Sequence, residues 1–433
     1  MKNKFSRYGL PLKVEFCSIC VMSNQKPNSS IEFTSSNPKN KTGINIEKKI
    51  CDACKYNEIK KSIDWEKREK ELIKLLDKHK KNSNAYDVVV PGSGGKDSAY
   101  TAHILKYKYG MNPLTVTWAP HLFTDIGFKN FNNWMRIGGL DNLLFTPNGL
   151  LHKRLTSLAF KNLLHPFQPF IIGQKLIAPK IAEKFNIPLI MYGENQAEYG
   201  NKISENYVPK MDESFFSIKK KKDIFLGGVS LDKLLKNEKF KLNEFDSYIP
   251  FGTNILKQKK IEFHYLGYYL KWDPQECYYY AYENTGFSPN IERTQGSYSK
   301  YSSIDDKIDY FHYYTTLIKF GIGRATYDAS QEVRSGDITR EEGISLIKKY
   351  DGEFPERWAD EIFEYLSIPY KEFKEISNIF EEPNFDRKYY ELLAANARSP
   401  HLWFLDEDNK WQLRNNIYDS NDLTQEETAQ NWE

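Results

Sequence analysis

Between residues 85 and 200, apolar runs and helix-like stretches take strict turns, and no other feature constrains the fold of this chain as much. DVVVPG reads as a short buried strand and KDSAYTAHILKYKYG as a helix ending on glycine. NPLTVTWAP is a second strand and GFKNFNNWMRIGG a second helix. DNLLFTP is a third strand, and two helical stretches through residues 149 to 186 lead into IPLIMYG, a fourth. Strands separated by helices need crossover connections, so the predicted class is α/β, a doubly wound parallel sheet with helices on both faces.

In such a sheet ligands sit beyond the carboxyl ends of the strands. The turn after the first strand holds the pair Gly94 and Gly95, which lets the backbone approach a ligand closely and aim several amides at one anion. Two familiar phosphate loops are excluded. The mononucleotide pattern GxxxxGK needs Ser or Thr after its lysine, but Lys96 is followed by Asp97; the dinucleotide pattern GxGxxG, counted from Gly92, meets Asp97 at its last position. What remains, Ser93-Gly94-Gly95-Lys96-Asp97-Ser98, resembles the SGGxDS loop of the PP-loop ATP pyrophosphatases, which split ATP into AMP and pyrophosphate.

That resemblance implies a nucleotide site formed by Pro91, Ser93, Gly94, Gly95, Asp97 and Ser98. Lys96 would add charge as pyrophosphate leaves, and Asp97 would help hold Mg2+; Asp97 also reads as a plain complement to the helix dipole. Adenine would lie near Thr117 and Trp118, although Trp118 also reads as core. Gly193-Glu194-Asn195 ends the fourth strand, where a carboxylate and an amide can face a ligand or simply make the turn. Lys96, Asp97 and Glu194 are the catalytic candidates, with Gly193 beside the nucleotide.

Ahead of this unit stand two CxxC pairs, Cys17 with Cys20 and Cys51 with Cys54. Their turns can aim four thiolates at one tetrahedral ion, and structural zinc is the favoured reading, with an iron–sulfur cluster or redox dithiols as alternatives. Cys277, the fifth cysteine, reads as a buried inert thiol. The organisation predicted is a zinc-ribbon-like module over 1–60, a connecting helix over 61–84 and the PP-loop domain over 85–200. A lysine-rich insertion over 201–260, polar and weakly periodic, would fold over the sheet edge or be partly mobile. A helical substrate-binding region over 261–350 and an acidic helical region over 351–433 follow, the final dozen residues being expected to be disordered.

Residues 1–84 carry 19 Lys and Arg against 10 Asp and Glu, whereas residues 351–433 carry 8 against 20, an asymmetry that suits solvated helix faces or partners of opposite charge. No stretch has the length and apolarity of a membrane span and the first residues lack a signal-peptide core, so a cytoplasmic protein is expected.

Beyond the loop, the order of segments resembles the N-acetyl sugar amidotransferase family. FCSICVM, CDACKYNE, SGGKDS, GEN, YLGYYLKWDPQE, YSSIDDKID and GIGRATYDASQEVRSGDITREE carry the likeness across most of the chain; the lysine-rich stretch departs from it. The family implies that the acetamido oxygen of a sugar acid, such as pseudaminic acid or a nucleotide-linked uronic acid, attacks the α-phosphate of ATP and that ammonia then displaces AMP to give an acetamidino group. It implies separate glutaminase and cyclase-like ammonia-channel partners, because no nucleophile-elbow cysteine is present. Asn195, Lys300, Arg324, Asp328 and Arg334 are the substrate-binding candidates, the arginines because a guanidinium grips a carboxylate bidentately; Asp305 and Asp306 are secondary candidates for hydroxyls or Mg2+. Each also reads as a helix cap or an ion pair. The alternative function is a transfer-RNA thiolase of the same class, disfavoured by the lack of a second CxxC after residue 54 and of an aromatic and basic RNA channel. A zinc-ribbon binding protein with a decayed ATP site comes third, against the intact loop.

Overall fold

A computed structural model describes residues 6–27, 43–81, 85–200, 207–211, 216–220, 223–379 and 382–419. Its N-terminal part is a bend bearing Cys17 and Cys20, followed by a small antiparallel ribbon of Ile46–Glu47 (β1) and Ile50–Cys51 (β2). The ribbon runs into the helix Asp52–Lys61 (α1). A second helix, Trp65–His79 (α2), starts where the Asp64 side chain accepts from the Lys67 amide at 3.0 Å, a cap that replaces a missing intrahelical acceptor.

The predicted alternation then appears as strands Val88–Pro91 (β3), Pro113–Trp118 (β4), Asp141–Phe145 (β5) and Leu189–Tyr192 (β6), with helices between them. These are Lys96–Tyr107 (α3), Asp125–Arg136 (α4), Gly149–Leu163 (α5) and Gln168–Lys184 (α6). A fifth strand, Glu262–Tyr265 (β7), completes the sheet in the order β7-β6-β3-β4-β5, every pairing parallel. Chain direction across the sheet reverses between β3 and β6, which makes that junction the topological switch point.

Both faces are buried. Val88 and Val90 join Leu189 and Met191 in a cluster with residues of α2, α3 and α4, while Val89 and Ile190 face the opposite cluster with residues of α5 and α6. Neighbours along one strand thus enter different cores, as a period of two demands, and this is why the strands read as unbroken apolar runs.

The fifth strand was not foreseen, since its residues fall in the stretch read as helical. In the insertion, Lys210 bridges to His264 of the edge strand, and Phe216, Leu226, Leu231, Phe245 and Tyr248 are among its residues built into the larger core, so its described part is anchored by scattered large side chains. The chain continues through Pro274–Thr285 (α7), Asp309–Phe320 (α8), Arg324–Ser335 (α9), Arg340–Tyr350 (α10), Ala359–Leu366 (α11) and Arg387–Ala397 (α12). Among its described residues the acidic region also holds a hairpin of Trp403–Leu405 and Trp411–Leu413. The last residues, expected to be disordered, lie outside the described residues. Among those described, no helix is long and apolar enough to cross a membrane.

Candidate active site at the carboxyl edge of the sheet

The SGGKDS turn joins β3 to α3 at the switch point. Gly92 donates to the Val116 carbonyl at 3.0 Å, and Gly94 then takes φ +85. A Cβ on Gly94 would stand 2.9 Å from the Phe131 Cα, so both the left-handed backbone and the close passage under α4 require glycine. Gly95 precedes α3 in an extended conformation, with no side chain capping the helix, which leaves the first amides of α3 directed at the turn. Ser98 Oγ donates to the Gly95 carbonyl at 3.0 Å and steadies the bend.

Lys96 Nζ lies 2.7 and 2.9 Å from the two oxygens of Asp97, and its side chain is only 12% exposed. Burial opposes its charge, but Asp97 and Glu194 hold its pKa above the usual lysine value. Across the switch point, Glu194 at the end of β6 is pushed above the usual carboxyl range by burial and by the charge of Asp97, while Tyr199 donates to its Oε1 at 2.9 Å. From the C-terminal part of the chain, Asp305 accepts a short hydrogen bond from Ser93 Oγ. Burial raises the Asp305 carboxyl to about 6, against the pull of Ser93. Asp97 and Glu194 thus act on one ammonium while Asp97 also acts on Asp305, and this excess of acidic oxygen beside the turn fits a hard divalent cation held together with phosphate.

A second group of charges lies on α8 and α9. Arg324 Nε pairs with Asp328 at 3.1 Å, and its guanidinium sits 4.3 Å from the ring centre of Tyr313. Asp328 also accepts from Ser297 Oγ at 2.5 Å. Asp309 is raised to about 6 by burial, with Arg324 pulling it down, and it acts in turn on Asp305. Asp309 and Asp305 thus connect this group to the turn.

The other expected residues are placed as follows. Thr117 is enclosed, its hydroxyl accepting from Asn142 at 2.9 Å, and Trp118 is 2% exposed with its ring stacked on Phe145 at 5.1 Å, so neither presents a face at the edge; the core reading describes Trp118. Pro91 completes β3 opposite Val116, and the Gly193 carbonyl accepts from Gly267 at 2.9 Å. Asn195 is buried and its Oδ1 accepts from the Ala197 amide at 2.9 Å, which makes it the start of a 3-10 turn. Lys300 is exposed on a loop. Arg334 stands not beside Arg324 but at the cysteine module, donating to the Glu198 carbonyl at 3.0 Å. Asp306 is tied to His121, accepting from its amide at 2.6 Å and lying 2.8 Å from Nδ1. Sequence reasoning passed over Tyr199, Ser297, Asp309 and Tyr313; only the position of Asp309 inside YSSIDDKID carried any signal.

At the far end of the N-terminal part, the sulfurs of Cys17, Cys20, Cys51 and Cys54 all lie within 4.8 Å of one another and all four residues are buried. Cys17 and Cys54 are 3.7 Å apart and Cys20 and Cys51 3.6 Å, close to the edge of about 3.8 Å for thiolates arranged tetrahedrally around zinc. Backbone amides of Ile19 and Cys51 point at the Cys17 sulfur and that of Met22 at the Cys20 sulfur, as suits charged thiolates. The donor set fits a structural metal with no open position. Cys277 is 2% exposed, its thiol pushed far up by burial and by Asp97.

Residues 295–416 match the family model for the C-terminal domain of WbpG-like LPS biosynthesis proteins. That segment contains Asp305, Asp309, Arg324 and Asp328. An uncharacterized protein of Methanocaldococcus jannaschii is 36% identical over 101 residues, and the match spans 23% of this chain and 31% of the relative's length. Among solved structures, the chain is similar to the NH3-dependent NAD synthetase of Campylobacter jejuni at 18% identity and a TM-score of 0.24, covering 31% of this chain and 58% of that one. It is similar to the U34-tRNA thiolase of Methanococcus maripaludis, solved with its iron–sulfur cluster, at 14% identity and a TM-score of 0.29, covering 63% and 78%. It is similar also to the NMN synthetase of Francisella tularensis at 11% identity and a TM-score of 0.27, covering 75% and 100%.

Proposed function

We propose that the protein is an ATP-dependent amidotransferase of glycan biosynthesis that converts the acetamido group of a sugar acid into an acetamidino group. The observation that carries this reading is the contact between Ser93, in the SGGKDS turn, and Asp305, in the segment matching the WbpG-like domain, because it joins a nucleotide loop to a glycan-biosynthesis domain. The acetamido oxygen attacks the α-phosphorus of ATP, forming a P–O bond and releasing pyrophosphate. Ammonia then adds to the activated carbon, the C–O bond breaks, and AMP leaves with the former amide oxygen.

In this scheme the amides of the turn and the Ser93 and Ser98 hydroxyls bind the departing diphosphate, and Lys96 balances its charge. Asp97, Glu194 and Asp305 would hold Mg2+, whose charge offsets that of the phosphates. Arg324, steadied by Asp328 and Tyr313, is the cation for the sugar carboxylate. The four-cysteine cluster would hold zinc as a structural ion. Ammonia would come from a separate glutaminase through a cyclase-like channel partner. A thiolase would want an accessible sulfur carrier, yet four cysteines converge on one point and Cys277 is enclosed.

The test incubates the protein with ATP, Mg2+, ammonium and an acetamido sugar acid. AMP together with a product in which one oxygen has become NH is the expected result; AMP release that requires transfer RNA and a sulfur donor overturns the reading.

A further inference from the structure

The cysteine module and the nucleotide edge meet at one short turn, Gln196–Tyr199, which follows directly on Glu194. The turn is held from three sides. Lys60, on the helix that begins at the cluster, places Nζ 2.8 Å from Glu198 Oε1 and 2.8 Å from the Trp272 carbonyl. Arg334 donates to the Glu198 carbonyl at 3.0 Å, while its own carbonyl accepts from Asn57 of the same helix at 2.8 Å. Gly200 ends the turn so close to the module that a Cβ there would stand 2.5 Å from Ile44 Cδ1. On its inner side the turn carries Tyr199, whose hydroxyl holds Glu194 at 2.9 Å.

Lys60 and Glu198 are nearly enclosed, with side chains 10% and 12% exposed. A buried ion pair contributes little net stability, because desolvation cancels most of its attraction, so its worth lies in geometry. Two cations rooted in or tied to α1 grip Glu198, Lys60 by its carboxylate and Arg334 by its backbone carbonyl, in a turn whose other face positions a carboxylate of the nucleotide site. Nothing in the adenylation scheme needs Lys60, Glu198 or Arg334 near substrate.

We infer that Lys60, Glu198, Arg334 and Tyr199 form a positioning clamp through which the cysteine module sets the placement of Glu194. The inference rests on the ATP-site reading above. Tyr199→Phe removes one donor from Glu194 together with the hydroxyl's contact to Gln331; Lys60→Met removes the outer anchor, and Lys60→Arg keeps its charge. Both Tyr199→Phe and Lys60→Met should lower kcat for AMP formation about 10-fold or more, the usual cost of losing a residue that orients a functional group, with KM for ATP little changed. Lys60→Arg should recover most of the loss, and bound metal should be unchanged in all three. Amide exchange across residues 193–200 should quicken in Lys60→Met, a readout independent of turnover.

Wild-type kcat in both Tyr199→Phe and Lys60→Met overturns the clamp. So does a Lys60→Met protein whose 193–200 amides exchange as in the wild type. A wild-type protein that releases no AMP would sink the functional reading instead, and the exchange measurement would still decide the clamp. Should Lys60→Met fail to fold, Tyr199→Phe alone decides, by its kcat and KM.

Discussion

Asp305 shows how a single side chain can tie two distant parts of a chain together. It reaches Ser93 across 212 positions of sequence, accepting from the serine hydroxyl. Its folded pKa, raised to about 6 by burial, lies above the unfolded value near 4, so the folded state takes up a proton between those limits. The stability it contributes is complete below about pH 4 and lost as pH rises through about 6. Asp305→Asn removes that dependence, so the variant should gain on the wild type by up to about 2 kcal/mol between pH 4 and pH 7, measured by denaturant unfolding. A constant difference across that range would show that Asp305 is not proton-linked to folding.

The same residue marks what could be read in advance. Ser93 to Ser98 were legible because the loop is local, with its strand, glycines and helix start adjacent in sequence. Asp305 and Glu198 act through neighbours brought from afar, and no spacing announces that. Arg334 donates to the Glu198 carbonyl, and an arginine in that position and one that grips a substrate carboxylate look alike in a sequence.

Among elements, β3, β4 and β6 could be read because each is an apolar run of four to six residues that is almost wholly buried and bounded by turn formers, whereas β5 is a partly exposed edge strand legible only through its Leu-Leu-Phe stretch. β7 could not. Its four residues, EFHY, include a glutamate and a histidine, and its burial comes from pairing with β6 and from Phe216 stacking on Phe263 at 4.3 Å rather than from its own pattern. The packing of α6 on β4 turns on Gly173, where an added Cβ would stand 2.3 Å from the Trp118 ring. That ring cannot yield, since Phe145 stacks on it and His152 and Tyr248 meet it edge-on. Gly173→Ala should therefore destabilise by about 1–3 kcal/mol through overpacking, read as a lowered Tm; an unchanged Tm would mean that α6 slides freely over the sheet.

At the scale of the whole molecule, the N-terminal part closes against the C-terminal region. Tyr8 donates to the Ala397 carbonyl at 2.8 Å, and His401 Nε2 lies 3.0 Å from Gln25 Oε1. Metal in the cysteine cluster would hold this junction as well as the clamp. A metal chelator should therefore release one zinc per chain and make four thiols reactive, while Cys277 stays protected until the protein unfolds; simultaneous reaction of all five would show that α7 does not enclose Cys277.

The order of the sheet carries a practical consequence. Because β7 returns to cover β6 only after some seventy further residues, a fragment ended at Gly200 would leave that strand with a bare row of amides and carbonyls, open to pairing with any other chain. The half that bears the SGGKDS turn is therefore no detachable cassette: it is finished by the very stretch that follows it.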